Sequence, residues 1–534
     1  MAGKSFVKGA VILGAAGIVV KILGAFFRIP LANIIGDTGM GYYQTAYPVY
    51  VLLLAISTAG IPTAIARMVS ERTAEGNHRE AYRIFKLSFL LLACIGLATF
   101  LILFLGAPLF VSFSNPKAIY AIRAISPALL VIPIMAAFRG YTQGLQDMTP
   151  TAVSQIAEQL FRVIAGLALA VVLVPAGLEY AAAGASFGAA AGGICGLIAI
   201  LIIFFKRRKV IKRQCLDTPP DAPAEKSGTI IKTIILIAVP VTIGAAIMPL
   251  MSNIDLVLVN QRLVASGFSA EKANSLYGQL SGFATPLINF PQVLTQSIAL
   301  SLVPAIAAAH QRKDADDLRR NTELGMRMAM IVGLPCAAGL FALAQPIMLL
   351  LYPTQRESAI SASGCLAVLA IGVIFLSSVQ TLTGILQGVG KQMIPVLNLC
   401  IGAVFKVIIT YVLTGIPALN VKGAAAGTVC AYFVATVLNY RAVGKYTGAQ
   451  FSVMLTFIKP GAASIIMGAS AWLICSALLP LTGNVMAVLA AVPAGVVIYA
   501  ILIFALRIIS EDELKRFPKG EKLARAARRL RLYR

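Results

Sequence analysis

Charge is scarce in this chain. Only 12% of its 534 residues are Asp, Glu, Lys or Arg, about half the share a soluble domain carries. The low charge and a mean hydropathy of +0.86 exclude an ordinary water-soluble globule. Histidine is nearly absent: His78 and His310 are the only two, both in polar segments, so a histidine-based metal site is not expected. None of the eight cysteines forms a CxxC pair, and they are expected to serve as small apolar helix residues. No GxxxxGK[ST] loop is present, which excludes a built-in nucleotide-driven pump. Two loop histidines and two deep carboxylates far apart in sequence supply little acid–base machinery, so the chain is not expected to be an enzyme.

Long apolar runs are abundant. Fourteen stretches of roughly 20 residues or more lie between residues 6 and 508, and they lack the alternation of a membrane barrel. The expected fold is all-α and polytopic, with fourteen transmembrane helices. The apolar N-terminus is expected to be an uncleaved first span, since it is long, contains Lys21 and lacks a small-x-small cleavage site.

The net charge of +24 would suit nucleic acid, but its placement argues otherwise. Lys and Arg crowd into "ERTAEGNHREAYRIFK", "KRRKVIKRQCLDTPPDAPAEKSG", "HQRKDADDLRR" and the C-terminal tail, while "SNPK", "VPAGLEY" and "TGIPALN" carry almost none. That alternation is the positive-inside pattern, and it predicts cytoplasmic N- and C-termini. No nucleic acid is expected as a partner. The tail segment "EKLARAARRLRLYR" is suited to anionic membrane lipid.

The two halves resemble each other. "GYTQGLQDMTPTAVSQIAEQLFRV" from Gly140 aligns without a gap on "GILQGVGKQMIPVLNLCIGAVFKV" from Gly384, so that Arg162 meets Lys406. "GASFG" at 184–188 then meets "GAAAG" at 423–427. Six spans separate the matches, an even number. The halves therefore share orientation, and the expected relation is an axis along the membrane normal with a cleft between them. The expected organisation is an N-lobe of helices 1–6 (residues 1–205), a basic and Pro-rich cytosolic linker (206–228), a C-lobe of helices 7–12 (229–443), two further helices (444–508) and a basic cytosolic tail (509–534).

Charges inside spans are costly, at least ~2.5–3.5 kcal/mol each at mid-bilayer, and each needs a partner or a wet surface. Lys21 and Arg28 are two helical turns apart on the first span and point the same way. From a helix start near residue 6 they lie about 22 and 33 Å along it. With Arg162 and Lys406 they form a candidate cationic site, for which phosphate groups are suited ligands. Glu158 stands one turn before Arg162 and is placed to pair with it; it is also a candidate for ion coupling. Asp255, with Asn253 and Asn260 nearby, is a candidate for ion coupling or for a structural hydrogen bond.

The stretches "KGAVILGAAGIVVKILGAFFRIPLANIIGDTGMGYYQ", "STAGIPTAIARMVSE" and "RGYTQGLQDMTPTAVSQIAEQLFRV" resemble the polysaccharide-export branch of the multidrug/oligosaccharidyl-lipid/polysaccharide (MOP) flippase superfamily, close to the MurJ-like lipid II flippases. That resemblance implies a two-lobed fourteen-helix fold working by alternating access in the bacterial plasma membrane. It implies as substrate an undecaprenyl-pyrophosphate-linked glycan, with cell-wall or spore-cortex synthesis as the setting and the cell-wall machinery as a partner. It implies no cofactor, and coupling to the membrane potential or to H+ or Na+. In MurJ-like proteins the first helix carries a basic residue, then Gly, then Arg, which Lys21, Gly24 and Arg28 match with one extra residue before the Arg. An acid commonly follows that Arg; here it is Ile29. Arginines of the second and eighth helices have no counterpart in "AYPVYVLLLAISTAG" and "YGQLSGFATPLINFPQ". The competing reading is a MATE-type drug or cation antiporter of the same superfamily, which would require an acidic or aromatic pocket; the balance of intramembrane charge here is cationic.

Overall fold

The computed structural model describes residues 2–112, 115–219 and 225–508. The basic tail 509–534, and with it the expected contact to anionic lipid, lies outside the described residues. The described chain is helical throughout, with no strand. Twelve helical segments are long and apolar enough to cross a membrane. Two of them, 12–74 and 454–505, each contain a break where a glycine leaves helical geometry, at Gly36 and Gly483. Counting each of these as two spans gives the fourteen that the hydropathy predicts.

The main helices are α1 (Ala2–Thr58), α2 (Ile61–Ala74), α3 (His78–Leu105), α4 (Ala128–Gly144), α5 (Thr149–Leu173), α6 (Leu178–Leu216), α7 (Ser227–Ala265), α8 (Ala270–Gly278), α9 (Thr285–Gln311), α10 (Ala315–Ala342), α11 (Arg356–Gly388), α12 (Met393–Thr414), α13 (Val421–Thr447) and α14 (Lys459–Ala505). Their ends follow local chemistry. The Asn77 side chain accepts from the Glu80 amide at the start of α3, and Asp314 accepts from the Asp317 amide at the start of α10. Gly448, at φ 65°, closes α13 in the left-handed region.

Compact packing divides the chain into two units. Among the described residues, the first holds those up to 264 together with 268–278, and the second holds 265–267 and 279–508. Helices α7 and α8 therefore pack with the first unit. Gly60, having no β-carbon, admits the Ala238 carbonyl and Thr242 of α7. Asn253 of α7 donates to the Pro48 carbonyl at 2.8 Å. At α8, Asn274 donates to the Thr38 carbonyl at 3.0 Å and Ser275 donates to Asp37 at 2.8 Å. The polar stretch 206–228 is helical as far as Leu216. Lys, Arg and Gln are good helix formers, and Ile211 has an apolar surface to bury against; Pro219 and Pro220 follow the helix end.

The internal repeat seen in the sequence recurs in three dimensions, contact by contact. In the first unit a β-carbon on Gly140 would stand 2.9 Å from the Pro62 carbonyl, and one on Gly144 2.9 Å from that of Ala66. In the second, Gly384 stands 2.8 Å from the Ala299 carbonyl and Gly388 3.0 Å from that of Val303 by the same measure. A β-carbon on Gly188 would stand 2.7 Å from the Arg162 carbonyl, and one on Gly427 3.0 Å from the Lys406 carbonyl. Equivalent glycines thus press equivalent helix pairs together in each unit.

Candidate functional site

The site in the first unit starts from one glycine. Gly36 has φ 65° and ψ −173°, a conformation essentially restricted to residues without a β-carbon. There α1 folds back on itself, so that residues before Gly36 run against residues after it. Phe27 meets Tyr43 with ring centroids 6.1 Å apart. Arg28 lies over the Tyr47 ring at 5.6 Å.

The returning arm presents tyrosines at i, i+4 and i+7. Tyr43 and Tyr47 stack at 5.8 Å with an 18° interplanar angle, and Tyr50 follows at 6.1 Å from Tyr47. Tyr43 and Tyr50 are buried, Tyr47 half-buried. Helix α5 supplies the second cation. Arg162 lies over the Tyr47 ring at 5.2 Å and donates to the Tyr43 hydroxyl at 3.3 Å. Helix α6 holds α5 in place through Gly188 and Gly192, where a β-carbon would collide with the Arg162 and Glu158 carbonyls respectively.

Two guanidinium groups therefore share one phenol ring. Each such contact contributes about 0.5–1 kcal/mol when exposed and ~2 kcal/mol when desolvated. Among the described residues, neither Arg28 nor Arg162 forms an ion pair with a carboxylate. The expected Glu158–Arg162 pair is not made. Glu158 instead accepts from Arg139 of α4 at 2.9 Å, and Arg139 also donates to Ser154 at 2.8 Å. A planar, permanently charged donor set without a resident acid suits an anion carrying several oxygens, such as phosphate or pyrophosphate.

Lys21 sits on the outgoing arm of α1, two turns before Arg28, and is exposed. Lys406 is half-buried on α12 of the second unit, so it belongs to a different packing unit from Lys21, Arg28 and Arg162. Asp255 is half-buried on α7. Its two asparagine neighbours are engaged with backbone: Asn253 with Pro48 and Pro249, Asn260 with Leu256. No cluster of three His, Cys, Asp or Glu residues that could hold a metal occurs among the described residues.

The sequence reading missed Tyr43, Tyr47 and Tyr50, and the role of Arg139. The i, i+4, i+7 spacing in "GYYQTAYPVY" was the available signal for the tyrosines. Nothing local could pair Arg139 with an acid nineteen positions on.

With this geometry in hand, the chain can be set beside known proteins. Residues 6–310 match the family described as polysaccharide biosynthesis protein, and residues 281–412 match the family described as MatE. Stage V sporulation protein B of Bacillus subtilis (strain 168) is 29% identical over 520 residues, 97% of this chain and 98% of that protein. Lipid II flippase MurJ of the same organism is 27% identical over 461 residues, 84% of each chain. A solved structure of lipid II flippase MurJ, in an inward closed conformation, superposes with a TM-score of 0.69 at 15% identity, covering 94% of this chain and 100% of that one. Of these relatives, lipid II flippase MurJ is named as a transport protein.

Proposed function

The chain belongs to the polysaccharide biosynthesis protein family, matching it over residues 6–310, and from that premise we propose that it is a flippase for a lipid-linked anionic glycan. The substrate is an undecaprenyl-pyrophosphate-linked saccharide of the peptidoglycan-precursor class, carried from the cytoplasmic to the outer leaflet by alternating access. One observation carries this reading: Arg28 and Arg162 converge on Tyr47, and among the described residues no carboxylate pairs with either. An acid-poor, guanidinium-lined surface inside a membrane-spanning unit is costly to build, and a pyrophosphate headgroup supplies the missing counter-charge.

In this reading Arg28 and Arg162 bind the pyrophosphate. Lys21 extends the cationic strip along α1. The prenyl tail stays in lipid. The membrane potential draws an empty cationic site inward with ~2.3 kcal/mol per charge per 100 mV, which favours reset after release. Glu158 serves structure through Arg139, leaving Asp255 as the remaining deep carboxylate for H+ or Na+ coupling.

The test is reconstitution of the full chain in vesicles with a fluorescent undecaprenyl-pyrophosphate-linked saccharide on one leaflet. Protein-dependent appearance on the other leaflet, lost in Arg28→Gln and Arg162→Gln, is the expected result. The second reading, a MATE-type antiporter of drugs or organic cations, draws on the MatE match over 281–412. The same vesicles loaded with a cationic dye separate the two: dye efflux coupled to a proton or sodium gradient, with no lipid transfer, would replace the flippase reading.

A further inference from the structure

A second cationic feature lies at the polar end of the first unit, away from Tyr47. The apolar run of α6 stops at Phe205 and gives way to "KRRKVIKRQC" while the helix continues to Leu216. On a helix with 100° per residue, Arg208, Ile211, Lys212 and Cys215 fall on one side. That side and the start of α3 enclose a cavity of about 380 Å³, lined by Arg79, Tyr82, Phe204, Arg208, Ile211, Lys212, Cys215 and Leu216.

Among the described residues, three cations line this cavity and no carboxylate does. Its floor is apolar and fixed, since the Phe204 ring packs at 5.0 Å against Phe138 and 5.6 Å against Phe85. Lys86 lies over the Tyr82 ring at 4.9 Å, adding a fourth cation beside the mouth. Other cations in the region are engaged elsewhere: Arg207 pairs with Asp147, Arg72 with Glu75 and Glu225, and Arg83 donates to the Glu225 carbonyl and to Ser227. Leu216, 79% exposed, stands at the rim, and Phe205 is exposed just before the basic run.

We propose that this cavity is a binding site for the phosphodiester headgroup of an anionic membrane phospholipid, seated at the membrane–water boundary where α6 leaves its apolar run. Arg79, Arg208 and Lys212 contact the phosphate oxygens. Phe204, Ile211 and Leu216 receive the glycerol and the first acyl carbons. A soluble phosphate would satisfy the cations but leave this apolar wall uncovered, and so the wall selects a lipid. The occupied site ties α3 to α6 at the end where the chain enters the linker to α7.

The experiment is native mass spectrometry of the full chain in detergent, titrated with phosphatidylglycerol, phosphatidylcholine or inorganic phosphate. The triple variant R79Q/R208Q/K212Q is compared with K206Q/K209Q/R213Q, which removes equal charge from the other side of the same helix. Near a lipid surface each cation is worth about fivefold in affinity. The cavity variant is expected to lose phosphatidylglycerol at least about tenfold more than the control does. Equal losses in both variants would reduce the site to diffuse surface charge and overturn the proposal. Phosphatidylcholine retained as well as phosphatidylglycerol, or displacement of the lipid by millimolar phosphate, would overturn it too. Should the triple variant lose its cooperative thermal transition, K212Q alone, an exposed position, carries the same comparison at about fivefold.

Discussion

Arg139 holds Glu158 at 2.9 Å, and in doing so withholds from Arg162 the acid that its own helix places one turn away. Arg139 and Glu158 are both largely buried, with 14% and 22% of their side chains exposed. The pairing across α4 and α5 leaves Arg162 turned to Tyr43 and Tyr47. A structural ion pair thus keeps a cation of the proposed site available.

Arg139→Met should release Glu158 to pair with Arg162. The expected outcome is loss of lipid transfer by about tenfold or more, with destabilisation of up to ~3 kcal/mol from the lost Arg139–Glu158 pair. Adding Glu158→Gln should recover most of both. Vesicle transfer rates and thermal melts of the two single variants and the double variant check this. A double variant as inactive as Arg139→Met would show that Arg139 acts by some other route.

Tyr47 is predicted to matter through its ring more than its hydroxyl. Tyr47→Phe retains both cation–ring contacts and should transfer lipid within about threefold of the parent, whereas Tyr47→Leu removes two contacts of about 1 kcal/mol each and should weaken headgroup binding roughly tenfold or more. The readout is the substrate concentration giving half-maximal transfer. Equal behaviour of Phe and Leu would dismiss the shared ring as an organising element.

The fold was legible in the sequence because the bilayer imposes a length and a polarity on every span. The fourteen spans and the Arg162–Lys406 equivalence could be read without coordinates. The hairpin at Gly36 was less visible, because the apolar pattern runs through it and only the backbone angle marks the reversal. Site chemistry was read by helix spacing, which pointed Glu158 to Arg162. The structure prefers Arg139, and a partner on a neighbouring helix leaves no periodic trace. Tyr47 escaped notice for the opposite reason: aromatic residues are common in membrane helices, and only the cations on its ring distinguish it.

Gly36 sets the fold-back that brings Arg28 to Tyr47. A β-carbon at φ 65° and ψ −173° costs about 1–3 kcal/mol. Gly36→Ala should lower the apparent melting temperature and reduce lipid transfer together. Gly76 also has a positive φ, at 75°, but a β-carbon there would meet nothing within 4 Å. Gly76→Ala at that loop should leave transfer within about twofold while costing about 1 kcal/mol of stability. Unimpaired transfer in Gly36→Ala, measured in the same vesicles, would detach the hairpin geometry from the site.

Gly188 and Gly427 offer a test of the repeat as a physical rather than a textual relation. A β-carbon on either would press on the carbonyl of the equivalent cation, Arg162 at 2.7 Å and Lys406 at 3.0 Å. Overpacking of this kind costs typically ~1–3 kcal/mol, because two helix backbones must separate. Gly188→Val and Gly427→Val should therefore destabilise by similar amounts. Their functional effects should differ in kind. Moving α5 displaces Arg162 from a ring it shares with Arg28, so Gly188→Val should weaken headgroup binding beyond its loss of stability. Lys406 lies outside that cluster, so transfer by Gly427→Val should fall mainly with the amount of folded protein. The comparison requires melting curves and half-saturating substrate concentrations for both variants. Equal shifts in half-saturation, at matched stability, would place Lys406 on the same footing as Arg162 and make the proposed anion site symmetric.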